Sequence, residues 1–440
     1  MTATAQLRFA FVNTIPIGMG PSGASTMDID GDGNLDIILS VTFGNAVITL
    51  LGDGNLGFTL GQILPSAATP GQIALADYNG DGNKDIAVVC RVSNELNIFF
   101  NLGNGTFGPR VSTPVGIDPL NITAVDFDSD GDQDLFIVNN LTNSLNALAN
   151  DGTGTFNSIG SSFIGFLPTA IKFADLDGDS DLDAVVSLGG QNAVTILRNT
   201  GVALAPAGTF ATGFFPIAIE LVDLNHDSRL DIVTANVASD DVTILTNLGS
   251  LNFSAPVSRP TGDAPVGVTR INHDNAKGWD LVSTNFDGLA FTISNNSGTG
   301  VFSSINSTVF VGLNPVNLLV ADFDGDFDDD VVTVNFTSND LTVLRNISSK
   351  PPYPGTNEDL ILTTGVDGPL STVPTKEIHA GSLVTAQIAS PLGTFNGMMS
   401  GIGVQAFLPA FPPLSPFPGL YLNQFGFGAS TVLNSAALLP

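Results

Sequence analysis

The chain has 440 residues, and its 42 acidic side chains face only 13 basic ones, for a formal net charge of −29. So few Lys and Arg cannot neutralise a phosphate backbone or hold a protein on an anionic bilayer, which excludes nucleic acid and electrostatic membrane docking. With 43 % hydrophobic and only 12 % charged residues, the chain has ample apolar side chain to form packed cores and is not a disordered acidic tail.

The predicted elements follow a fixed order from the N-terminus. An apolar strand over Leu7–Val12 comes first. A Gly18-x-x-Pro21 turn then leads into a short strand and an acidic loop, Asp28 to Asp36. A second strand follows at Ile37–Leu39, a third at Val47–Leu51, and a fourth headed by Phe58. These are short β-rich runs bounded by Gly, Asn and Pro, as strands are. No stretch keeps a helical period.

The order then repeats. Acidic loops start at positions 28, 77, 126, 175, 223, 272 and 322, a period of 48 to 50 residues. A Pro stands seven residues before each (Pro21, Pro70, Pro119, Pro168, Pro216, Pro265 and Pro315), with Gly three before it in six copies and Ala67 in the other. Phe107, Phe156, Phe253 and Phe302 recur where a fourth strand is expected to begin. Four strands in each of seven units predict an all-β, seven-bladed β-propeller. The last unit stops near Asn346, after its third strand, so the N-terminal strand is expected to complete the seventh blade and close the ring. Closure removes the exposed sheet edge.

Each loop spaces oxygen ligands two residues apart, and carboxylates so placed repel unless a cation lies between them. In the first loop, Asp28, Asp30, Asp32 and Asp36 occupy positions 1, 3, 5 and 9, and the backbone carbonyl of Asn34 can add a fifth ligand. Hard oxygen donors in a flexible loop suit Ca²⁺ better than Mg²⁺. Gly33, at position 6, permits the sharp turn. The flanking helices and the Glu at position 12 of an EF-hand are absent.

The motif Asp-x-Asp/Asn-x-Asp-Gly-x-x-Asp, the Gly-x-x-Pro upstream and the Asn-x-Gly-x-Gly-x-Phe turn at Asn101–Phe107 resemble the FG-GAP/VCBS repeat family, known from the integrin α-subunit propeller and many bacterial surface proteins. The resemblance covers residues 7 to 347. It implies Ca²⁺ held by positions 1, 3, 5, 7 and 9 of each intact loop. The second loop offers Asp77, Asn79, Asp81, Asn83 and Asp85. The third offers Asp126, Asp128, Asp130, Asp132 and Asp134, and the fourth Asp175, Asp177, Asp179, Asp181 and Asp183. The fifth offers Asp223, Asn225, Asp227, Arg229 (through its backbone) and Asp231, and the seventh Asp322, Asp324, Asp326, Asp328 and Asp330. Ser180, Ser228 and Phe327 replace Gly at position 6 of the last three, and Phe327 is expected to strain its turn. The sixth loop has Asn272, Asp274, Ala276 and Asp280, with Lys277 inside, so position 5 has no ligand. Six Ca²⁺ sites are expected, and none in the sixth blade.

Catalytic chemistry is not expected. The three His (226, 273 and 379) stand beside no nucleophile motif, and no Gly-x-Ser-x-Gly, His-Glu-x-x-His or phosphate-binding Gly-Lys-Ser/Thr occurs. The single Cys, Cys90, ends an apolar run and reads as a buried thiol. No run long enough to cross a membrane as a helix is present, and the first residues lack a signal-peptide core, so a secreted chain would already have lost its signal. The Phe residues are expected in the core, leaving Trp279 as the candidate platform for a sugar.

After the propeller (1–349), Lys350–Asn357 reads as a Pro-rich linker and 358–440 as a small β-module with strands at Leu360–Thr364, Leu383–Ala389, Val404–Phe407, Leu420–Leu422 and Thr431–Leu433. From Ala380 to Pro440 there is no charged residue, which points to a surface packed against its own chain or given to another subunit. These features together predict an extracellular or cell-surface structural protein that acts in adhesion or self-assembles into a homo-oligomer or polymer. The alternative is a carbohydrate-binding propeller that takes glycans.

Overall fold

A computed structural model describes residues 9–201, 203–272, 278–303 and 307–347, and four strands beyond them. The chain divides into two compact units, Met1–Ser348 and Ser349–Pro440.

The first unit is a seven-bladed propeller, each blade a four-stranded antiparallel sheet. Blade 1 runs Pro21–Met27, Asp36–Val41, Ala46–Gly52 and Phe58–Pro65 from the axis outward. Blades 2 to 6 repeat this order from inner strands Pro70–Ala76, Pro119–Val125, Pro168–Ala174, Pro216–Val222 and Pro265–Ile271. Blade 7 takes Pro315–Ala321, Asp330–Asn335 and Asp340–Asn346 from the C-terminal end of the ring, and its outer strand from the N-terminus. That strand, Phe9–Pro16, pairs with Asp340–Asn346 in the register Phe9 to Asn346. It extends four residues beyond Val12, the end expected from sequence, and it closes the ring as expected.

The burial of each strand explains its composition. All six residues of every second strand are buried, because blades cover both of its faces; hence the unbroken apolar runs. Outer strands such as Phe156–Phe163 face water. The core is accordingly divided into seven clusters, one per blade interface. Ile37, Leu39 and Ile48 of blade 1, for example, meet Val332, Val334 and Leu341 of blade 7. The inner strands surround an axial cavity of about 680 Å³, in which Lys172 and Glu220 face each other at 3.7 Å.

Two expectations are corrected. Phe58 and Phe156 do head outer strands, but Phe107 and Phe302 form isolated bridges to Asn101 and Asn296, and Phe253 sits in a small hairpin with Asn247–Gly249. In blades 2 and 5 the outer strand starts only at Val111 and Val257, just beyond Pro109 and Pro256, which cannot donate to the ladder. The Phe residues are also not uniformly core. Phe9, Phe99 and Phe136 are buried, whereas Phe43, Phe166, Phe214 and Phe310 are more than half exposed.

In the second unit, Ile361–Val366 pairs antiparallel with Val384–Ala389, and Leu414–Phe417 with Leu420–Leu422. The sequence reading missed Leu414–Phe417. The linker and the strands expected at Val404–Phe407 and Thr431–Leu433 lie outside the described residues. Among the described residues the sole helical element is a 3₁₀ turn at Gly189–Gln191, and no helix is long and apolar enough to cross a membrane.

Candidate metal centres

Each acidic loop joins the end of an inner strand to the start of the second strand, so all the loops lie on one face of the ring. Their backbone conformation is shared. Position 6 is left-handed in every described loop: Gly33 at φ 88°, Gly82 at 89°, Gly131 at 97°, Ser180 at 75°, Ser228 at 66° and Phe327 at 70°. Position 4 is left-handed as well, which accounts for His226 (φ 61°) as an exposed turn residue.

The side chains of the loop hold its own backbone. The position 1 carboxylate accepts from the position 6 N–H in all six: Asp28 at 2.9 Å, Asp77 at 2.8 Å, Asp126 at 3.2 Å, Asp175 at 3.0 Å, Asp223 at 2.8 Å and Asp322 at 2.9 Å. The position 5 carboxylate accepts from position 7, as Asp32 does from Asn34 at 2.8 Å and Asp130 from Asp132 at 2.9 Å. Asn79 and Asn225 fill the same role at position 3, each accepting from the position 5 N–H at 3.0 Å. These turns aim the side-chain oxygens of alternate residues towards one centre.

Position 9 is the buried anchor. One oxygen of Asp36 accepts from Ile29 N–H at 2.7 Å and the other from Gly52 N–H at 2.8 Å, so this carboxylate ties the loop to the end of the third strand. Asp85, Asp134, Asp183, Asp231 and Asp330 repeat both bonds. Burial pushes the pKa of all six up, to about 6 at Asp85 and Asp231 and about 7 at Asp330, against the pull of those backbone donors.

Three carboxylate oxygens come within 4.8 Å of one another in four loops: Asp28, Asp30 and Asp32; Asp126, Asp128 and Asp130; Asp175, Asp177 and Asp183; Asp322, Asp324 and Asp330. Three carboxylate oxygens, Asp126 Oδ1, Asp177 Oδ1 and Asp324 Oδ1, are buried without any hydrogen-bond donor. Such oxygens are costly to bury and are what a cation would satisfy. The donor set fits a hard metal ion. Loops 2 and 5, with Asn at position 3, contain no such three-carboxylate group among the described residues.

Three arginines enter these loops. Arg229, expected to serve as a ligand through its backbone, pairs its guanidinium with Asp227 and donates to Asn247 O at 2.9 Å. Arg198 reaches Asp177 at 3.2 Å and Asp179 at 2.9 Å, and Arg345 reaches Asp324 at 2.8 Å. Arg198 lowers the pKa of Asp179. Both Arg198 and Arg345 stand fifteen residues after a position 9 Asp, so the repeat phase itself could have marked them. Residues 273–277 of the sixth loop lie outside the described residues. Asn272, just before them, donates its N–H to Asp329 of the seventh loop at 2.8 Å.

The loops are also coupled to the neighbouring blade. Asn150, Asn247 and Asn296 donate to the position 2 carbonyls of Tyr78, Leu176 and Leu224 in the preceding blade at 2.9, 3.0 and 2.8 Å. The Tyr78 ring meets Phe156 edge-on at 5.5 Å, and Phe323 meets Phe58 at 5.7 Å. An ion in a loop would therefore brace a blade interface.

The FG-GAP-like repeat model matches residues 28–88, 87–137, 126–186 and 175–234, three of the four matches opening on a position 1 Asp. Residues 28–234 belong to the FG-GAP-like repeat family. No curated protein matches its sequence. Among solved structures, BBS1N, crystallised in complex with ARL6DN, is similar to this FG-GAP-like propeller with a TM-score of 0.56 at 13 % identity, covering 77 % of this chain and 97 % of its own. Virginiamycin B lyase from Staphylococcus aureus gives 0.54 at 14 % identity, over 76 % and 99 % of the two chains. At such identities the likeness is one of fold alone.

Other candidates for chemistry are quiet in the FG-GAP-like propeller. Cys90 is buried, and burial pushes its thiol up to about 12, far from a nucleophile. Trp279 lies under the Arg270 guanidinium at 4.7 Å and packs on the cluster between blades 5 and 6. The sugar platform expected there is thus covered on one face and packed on another.

Proposed function

We propose that this FG-GAP-like propeller is a calcium-stabilised, non-enzymatic scaffold of the cell surface or extracellular space, acting in adhesion or in assembly with itself or with other surface proteins. An FG-GAP-like propeller suits an interaction or structural role, and the carrying observation is the set of buried carboxylate oxygens without donors at Asp126, Asp177 and Asp324. Ca²⁺ would be held by positions 1, 3, 5, 7 and 9 of loops 1 to 5 and 7, six ions in all. It would supply the positive charge that relieves carboxylate repulsion, and binding only to the folded state would stabilise that state by mass action. The uncharged C-terminal stretch supports assembly through the second unit.

Calcium titration of the full chain, read by melting temperature and by calorimetric stoichiometry, tests this reading. Six ions and a rising melting temperature are expected. A stoichiometry near one, or no stabilisation, removes it.

A further inference from the structure

The face opposite the acidic loops carries a repeated apolar pattern. Two turns per blade form this face: the one before each inner-strand Pro and the one between second and third strands. Two residues before the Pro stand Met19, Ile117, Phe166, Phe214 and Leu313, each 47 to 66 % exposed. Two residues after the second strand stand Phe43, Val92 and Leu141, 62 to 70 % exposed. The two positions adjoin, since Phe43 N–H donates to Met19 O at 3.2 Å, and Phe43 meets Phe336 of blade 7 edge-on at 5.5 Å. Blade 6 breaks the pattern at both positions, with Asp263 and Asp287. The result is an apolar arc over blades 7, 1, 2, 3, 4 and 5, interrupted by the Arg91–Asp118 ion pair and by Asp240, with an acidic gap at blade 6.

Nothing in the architecture of a blade demands large apolar side chains here. Ala68 and Thr337 occupy the same two positions in other blades without disturbing the turns. Large solvent-facing side chains at a recurring turn position are the mark of a contact surface.

We infer that this arc docks a second copy of the chain, arc to arc, in a two-fold dimer. Charge decides through which face two copies can meet. The acidic loops of a chain with net charge −29 crowd the other face, so any approach through that face sets like charge against like. Inner strands of seven residues make the ring about 23 Å thick. Copies joined through their arcs therefore hold their acidic loops about 45 Å apart, several Debye lengths. The area is sufficient as well. At about 170 Å² to a large side chain, eight residues about 60 % exposed offer roughly 800 Å² per copy, the amount a stable interface needs. An isologous contact also requires one patch to complement itself, which an apolar patch does.

The inference does not rest on the calcium reading or on the C-terminal unit. Sedimentation of the full chain in Ca²⁺ across a concentration series tests it, comparing wild type with the Phe166→Asp/Phe214→Asp double variant. Wild type is expected at no less than twice the 45.4 kDa chain mass, and the double variant at half the wild-type value with a cooperative melt like that of wild type. If the Asp pair does not fold, the Phe166→Ser/Phe214→Ser pair takes its place with the same expectation. Wild type at the single-chain mass throughout overturns the dimer. An unchanged mass in a folded double variant overturns it too, and assigns any assembly to another surface.

Discussion

Asn339 and Gly20 close the ring: the Asn339 side-chain oxygen accepts the Gly20 N–H at 2.8 Å across 319 residues of sequence. The same clamp recurs from blade to blade. The residue before each third strand accepts from the residue before the next Pro, as Asn45 does from Thr69, Asn94 from Asp118, Asn143 from Leu167, Asn192 from Phe215 and Asp240 from Ala264, at 2.7 to 3.0 Å. Both partners are left-handed at every junction, which suits Asn and Asp as acceptors and Gly20 as the donor.

Blade 6 is the exception, because Leu289 holds the clamp position at φ 52° with no acceptor to offer. Leu289→Asn should ease the left-handed residue and add a hydrogen bond to Asn314 N–H, raising the unfolding free energy by about 1–2 kcal/mol. Asn339→Ala should lower it by a similar amount. Urea denaturation of both variants checks the pair, and a Leu289→Asn protein no more stable than wild type refutes the clamp.

Phe327 occupies a left-handed position where the first three loops have Gly. Phe327→Gly should stabilise the metal-free protein by roughly 1 kcal/mol. Gly33→Ala should cost about as much, for conformational reasons alone, since nothing lies within 4 Å of a Cβ built there. Thermal melts in chelator would show both changes.

The buried position 9 carboxyls set a pH dependence. Asp85, Asp231 and Asp330 have folded pKa values raised to about 6, 6 and 7 from the ordinary 3.8. The metal-free folded chain therefore binds more protons than the unfolded one. Their contribution to stability is full below 3.8 and is lost as pH rises through 6 to 7. Calcium needs the carboxylates ionised, so its apparent affinity should fall as pH drops from 7 towards 5. Melts in chelator and calcium titrations across that range should move in opposite directions. Parallel movement contradicts the assignment.

Arg198 and Arg345 compete with any ion for Asp177, Asp179 and Asp324. Arg198→Ala and Arg345→Ala should each tighten calcium at one of the proposed sites several-fold. The side chains are about half exposed and the pairs are screened by solvent, so metal-free stability should change little. Terbium luminescence with each variant measures the change, and a weakened site would show that the arginines shape the loop instead of competing for it.

The sequence by itself determined the repeat, the four-strand blade, the acidic loops and the closure of the ring by the N-terminal strand. Each of these is local: strand periodicity, Gly-x-x-Pro turns and oxygen ligands two residues apart are all written within one 49-residue unit. The position 9 Asp was expected from sequence only as a metal ligand; its role as a buried anchor was not legible, because the Gly52 N–H it holds lies on another strand. Only the tertiary structure decided which residues cross between blades, the Asn339–Gly20 clamp and the Asn150–Tyr78 tie, and that Arg198 and Arg345 turn from third strands into the acidic loops of their own blades, 4 and 7. It also decided that Phe166 and Phe214 face water while Phe136 is core. Their composition is the same. What separates them is whether the ring sets another blade against them, and that depends on the closed circle of seven blades, a property no single repeat contains.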